Sequence, residues 1–92
     1  MLRFTLRIPE SGSLKDKRQV VRSVAQRLRN KYQVAVAEVD DNDAWQVATL
    51  GVTCVANTAA HCDEVLREVQ RFVESSRLDA EMTDVESEVF SF

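Results

Sequence analysis

Seven bases fall within the segment SLKDKRQVVRSVAQRLRNKY, from Ser13 to Tyr32: Lys15, Lys17, Arg18, Arg22, Arg27, Arg29 and Lys31, against the one acid Asp16. Cations repeated at this density can follow a run of phosphates, each contact adding affinity by releasing counterions from the polyanion. Two pairs, Arg18 with Arg22 and Arg27 with Lys31, stand four residues apart, a like-charge spacing that costs a helix about 0.2–0.5 kcal/mol per pair. A chain that keeps such pairs is keeping one surface positive. The competing explanation is internal: Arg18, Arg22 and Arg29 could face Asp63, Glu64 and Glu68 on a neighbouring helix as weak surface ion pairs. From residue types and spacing alone, both stay open.

Other residues offer less chemistry. His61, the only histidine, stands beside Cys62 with no third ligand at a zinc spacing. Asp40, Asp41 and Asp43 lie in a stretch that lacks the glycine and distal glutamate of a calcium hand. The acylphosphatases resemble this chain in size and strand order, and cradle phosphate in a glycine-containing first strand-to-helix loop with an arginine. Here that loop, ESGSLKDKR, has one glycine and no matching motif, and Asn57 has no arginine at a telling spacing. No nucleophile and base pair stands out. The expectation is a non-enzymatic protein with no catalytic residue, metal site or cofactor.

The elements that must position the bases follow from hydrophobic period. Leu2, Phe4, Leu6 and Ile8 alternate with Arg3, Thr5 and Arg7, the pattern of a half-buried strand that Pro9 ends. After the PESGS loop, Ser13 with Asp16 three residues on makes a capping-box start for the basic helix. Inside it Val21, Val24, Leu28 and Tyr32 form the apolar stripe. At 100° per residue, Lys15, Arg18, Arg22 and Arg29 gather within about 60° on a different face. Lys17 falls near the centre of the stripe at the first turn and is expected to reach past the sheet end toward the loops. Lys15, Lys17, Arg18, Arg22 and Arg29 are the candidate RNA contacts.

Residues 33–39 form a second strand whose inward face alternation does not assign. DDND at 40–43 is turn chemistry. In the strand at 44–56, Leu50, Val52 and Cys54 share one face, and Trp45, Val47, Thr49, Gly51 and Thr53 the other. Asn57 or Thr58 caps a second helix with Cys62, Val65, Leu66, Val69, Phe72 and Val73 as its apolar set, closed by SSR at 75–77. A last strand at 79–91 sets Val85, Ser87 and Val89 against Asp84, Glu86, Glu88 and Phe90.

The order β-α-β-β-α-β with right-handed crossovers gives a ferredoxin-like split β-α-β: one domain of α+β class, a four-stranded antiparallel sheet in the order 4-1-3-2, and both helices on one face. The acidic turn joins only antiparallel neighbours, which makes a parallel doubly wound sheet the poorer reading. On the open face the central strands present Arg3, Thr5, Arg7, Thr49, Gly51 and Thr53, so no aromatic platform for stacking bases lies there. Arg3 and Arg7 are expected to pair with Asp84, Glu86 and Glu88 on the last strand. Trp45, Val47, Phe90 and Phe92 are the expected apolar residues of that face, and a homodimer through it is the alternative function.

The formal net charge of -3 hides a division. Residues 1–32 carry nine bases and two acids, and residues 33–92 carry three bases and thirteen acids, an asymmetry that fits either polyanion binding or internal neutralisation. The N-terminus alternates and lacks a signal peptide's apolar run, and no stretch approaches the roughly 20 apolar residues of a membrane span. The reading is of a cytoplasmic protein, with Cys54 and Cys62 as reduced residues in apolar patterns.

The run from IPESGSLKDKR through the basic helix to VAEVDDNDAW and LGV resembles the YlxP-like proteins, a bacterial family of unknown function. SLKDKR falls on Ser13 to Arg18 and VAEVDDNDAW on Val36 to Trp45, and the resemblance covers nearly the whole chain. It implies a ferredoxin-like fold, and no enzymatic residues are established for the family, so it carries over no catalytic site. Because members are commonly encoded near transcription-termination, initiation and ribosome-maturation factors, it also implies ribosomal RNA or a ribosomal particle as partner, in ribosome maturation or translation.

Overall fold

The computed structural model describes residues 1–40, 43–75 and 80–87. Six elements follow in order: β1 (Leu2–Arg7), α1 (Leu14–Lys31), β2 (Ala35–Asp40), β3 (Val47–Thr53), α2 (Ala59–Ser75) and β4 (Glu81–Ser87). The strands make one antiparallel sheet, β2-β3-β1-β4. Leu2, Phe4, Leu6, Val36, Ala48, Leu50 and Val52 turn one sheet face toward Val24, Ala25 and Leu28 of α1 and Leu66, Val69 and Val73 of α2, all in one buried cluster. This is the ferredoxin-like α+β fold in the expected strand order.

Local chemistry sets the boundaries. Ser13 is extended, its Oγ accepts the Asp16 N–H at 3.1 Å, and the Asp16 carboxylate accepts the Gly12 N–H at 3.1 Å. Two amide groups at the helix start are thereby satisfied. Tyr32 ends α1 in extended conformation, its N–H bonded to the Leu28 carbonyl. Thr58, rather than Asn57, caps α2, with its Oγ1 accepting the His61 N–H at 3.2 Å.

Three features depart from the pattern in the sequence. First, β3 begins at Val47 and not Ala44, because the Gln46 carbonyl accepts the Ile8 N–H at 2.7 Å and its side-chain amide donates to the Pro9 and Ser11 carbonyls. Second, β2 turns Val36 and Glu38 inward and leaves Ala35, Ala37 and Val39 exposed. Its inward face thus carries an acid and its outward face is apolar, which is why alternation could not assign it. Third, irregularities interrupt both edge pairings. One lets Val85 and Met82, three residues apart, sit opposite Phe4 and Leu6; the other brings Asp40 opposite Thr49. Such bulges re-aim side chains across a sheet. The expected closing residues 76 and 77 and the strand end at 88–91 lie outside the described residues.

Candidate functional site

The basic helix α1 packs over β2 and β3, and α2 over β4. One flank of α1 meets α2: the Lys31 ammonium stands 4.6 Å from the Phe72 ring centroid, Tyr32 meets Phe72 edge-on, and the Tyr32 hydroxyl donates to the Glu68 carbonyl at 3.3 Å. Lys15, Arg18, Arg22 and Arg29 lie roughly 140–180° around the helix from Lys31. The structure gives the same direction independently, since Arg29 Nη2 donates to the Val36 carbonyl at 2.6 Å on β2, an edge of the sheet. The ridge therefore runs along the β2 edge, away from α2.

That placement removes internal neutralisation by α2 as the explanation of the ridge. Lys15, Arg18 and Arg22 are exposed, and among the described residues none of the three has a carboxylate within ion-pairing distance. In α2, Asp63 pairs instead with Arg67 one turn on, at 3.1 Å. Arg29 uses one of its five N–H donors on Val36 and keeps an exposed side chain.

Lys17 is a correction. Its side chain is 1% exposed, its Nζ lies 2.9 Å from Glu38 Oε2, and it donates to the Val47 carbonyl at 3.3 Å. Its position in the apolar stripe sends it under the helix, where the first turn is already covered by β2 and β3. It is a strut between α1 and the sheet and cannot contact a ligand. The signal was present in two places: a base in line with Val21, Val24 and Leu28, and an acid, Glu38, sharing the inward face with Val36. Neither is informative until the two are seen to meet.

Arg3 also differs from expectation in its ion pair. Register sets Glu86 opposite Arg3 and Glu81 opposite Arg7, but Arg3 makes its ion pair with Asp40 at 3.2 Å. Arg3 reaches Asp40 on β2 because the bulge sets Asp40 opposite Thr49, on the open face that Arg3 shares. Beside it the Thr5 and Thr49 hydroxyls are 3.3 Å apart. Glu88 lies outside the described residues.

Of the residues expected on the open face, Trp45 is 56% exposed and Val47 is half-buried opposite Arg7. Phe90 and Phe92 lie outside the described residues. Cys54 and Cys62 are free thiols, and the Cys62 Sγ–H donates to the Cys54 carbonyl at 3.4 Å. Burial, aided by the hydrogen bond and charge of Cys62, pushes the Cys54 thiol above its ordinary range. His61 is exposed at the start of α2. Among the described residues no three His, Cys, Asp or Glu side chains converge as metal ligands, and no helix is long and apolar enough to cross a membrane.

Fold and surface together define a small ferredoxin-like α+β protein with an exposed basic ridge along one sheet edge. The chain belongs to the family described as Protein of unknown function (DUF503), which it matches over residues 1–87. It is also similar to the Uncharacterized protein YlxP of Bacillus subtilis (strain 168), 32% identical over 68 residues that cover 74% of each chain.

Proposed function

We propose that this protein is a non-enzymatic, cytoplasmic RNA-binding accessory factor that holds RNA phosphates along α1 through Lys15, Arg18, Arg22 and Arg29. The observation that carries the reading is that three of these cations are exposed, mutually close and without a carboxylate partner among the described residues. Fixed cations on one helix face raise the local potential and favour a polyanion. Ribosomal RNA or a ribosomal particle, in ribosome maturation or translation, is the partner this proposal takes, supported by the resemblance to YlxP-like proteins, whose members are commonly encoded near ribosome-maturation factors.

Dimerisation through the open sheet face has less support. That face is crossed by the Arg3–Asp40 ion pair and the Thr5–Thr49 contact, with the half-buried Val47 and the half-exposed Val39 as its described branched apolar residues. A stable homodimer wants a larger apolar centre.

The test is fluorescence anisotropy of labelled ribosomal RNA fragments with the native protein and with Arg18→Glu/Arg22→Glu. Charge reversal at two exposed sites should leave the fold intact and remove binding. Equal binding by the two proteins would sink the proposal.

A further inference from the structure

The sole tryptophan of the chain, Trp45, is exposed over more than half its surface. An indole offers a large apolar area that folding ordinarily hides, so its exposure asks for an explanation. Trp45 belongs to the connection between β2 and β3, and the two residues after it are firmly held. Gln46 is bonded through its carbonyl to Ile8 and through its side chain to Pro9 and Ser11 in the loop that leads into α1. The Val47 carbonyl accepts from Lys17, in the first turn of α1. These bonds seat the chain at Trp45 beside the end of α1 where Lys15 and Arg18 begin the ridge.

An exposed flat aromatic surface at the same end of the molecule as cations that have no carboxylate partner among the described residues is the pairing that single-stranded nucleic acid requires: the cations track the backbone, and the ring takes a base on its face. Asp43, exposed two residues before Trp45, disfavours a phosphate over the loop itself. The backbone path is therefore along α1, and only a base reaches the indole. In a duplex the bases are already stacked and paired, so such a surface selects unpaired segments.

We propose that Trp45 is the base-stacking residue of the α1 site and that the RNA it takes is single-stranded or carries unpaired bases at this end of the helix. This rests on the RNA reading given above, and sharpens it to a class of RNA and a residue outside the ridge.

Because Trp45 is the only indole, its emission reports this site alone. The experiment titrates the full chain with a single-stranded oligoadenylate and, in parallel, with a blunt RNA duplex of the same length, at low salt. The single strand should quench the indole and bind more tightly than the duplex. Trp45→Ala should weaken single-strand affinity by about 5- to 150-fold, the range for one base–aromatic stack, while leaving duplex affinity unchanged. Trp45→Phe should retain most of the preference. Circular dichroism confirms that each variant is folded. If both RNAs bind native protein and Trp45→Ala alike, with unchanged emission, the stacking role is overturned and the ridge remains an RNA surface. If neither RNA binds, the RNA reading falls with it. If emission instead follows protein concentration and Trp45→Ala abolishes a dimer, a second copy covers the ring and the proposal is wrong.

Discussion

Replacing Lys17 separates a buried strut from an RNA ligand. The Nζ–Oε2 distance of 2.9 Å to Glu38, with Lys17 1% and Glu38 20% exposed at the side chain, places both charges largely out of water. At an effective dielectric of about 20 the attraction at that distance is of order 6 kcal/mol, most of it offset by desolvation of the two ions. Lys17→Ala removes three buried methylenes, about 0.8 kcal/mol each, and leaves Glu38 and the Val47 carbonyl without this donor. The expected loss is about 3–5 kcal/mol, a large fraction of the roughly 5–14 kcal/mol that a chain of this length typically has. Lys17→Met keeps the stem, and together with Glu38→Leu removes both charges. That double variant should lie within about 1 kcal/mol of the native protein or above it. Urea unfolding followed by circular dichroism gives all four corners of the cycle, with constant slope as the check on two-state behaviour. If Lys17→Ala lost under about 1 kcal/mol and instead weakened RNA binding, Lys17 would be a surface ligand and the packing of α1 described above would be wrong.

Further predictions concern other parts of the fold. Ser13→Ala should lower stability by about 1 kcal/mol through loss of the cap to Asp16, measured by the same unfolding curves. At Gly51 an added Cβ would meet Val39 Cγ1 at 3.1 Å. Because Val39 is half exposed on an edge strand beside a bulge, it can shift, and Gly51→Ala should change stability by less than about 1 kcal/mol. Cys54 has a raised folded-state pKa, so the unfolded thiol ionises first, and its contribution to stability is lost as pH rises above the ordinary thiol value of about 8.5. Native protein should lose more of its urea midpoint than Cys54→Ala between neutral pH and that window, and Cys54 should alkylate more slowly than a free thiol.

Elements with a clean period could be read from the sequence. The alternation of Leu2 to Ile8, the stripe Val21, Val24 and Leu28, and the cap at Ser13 each name one local structure, and the fold follows from their order. The exposed ridge was legible as a surface because helix geometry alone groups Lys15, Arg18, Arg22 and Arg29. Which neighbour that surface faces was not, since it depends on where α2 lands, a tertiary fact. The same limit hid Lys17, whose burial is tolerable only because Glu38 arrives from an element 21 positions later in the chain. Arg3 shows it again: its partner is set by a bulge before Asp40, which has no period to detect.

The most direct measurement of the central claim is the salt dependence of RNA affinity. With Lys15, Arg18, Arg22 and Arg29 on phosphates, the log–log slope for a single strand should reach about -2.8, at about -0.7 per contact. Arg18→Ala/Arg22→Ala should bring it to about -1.4. A slope that is flat in the native protein, or unchanged in the variant, would contradict the assignment of the α1 ridge as the RNA surface.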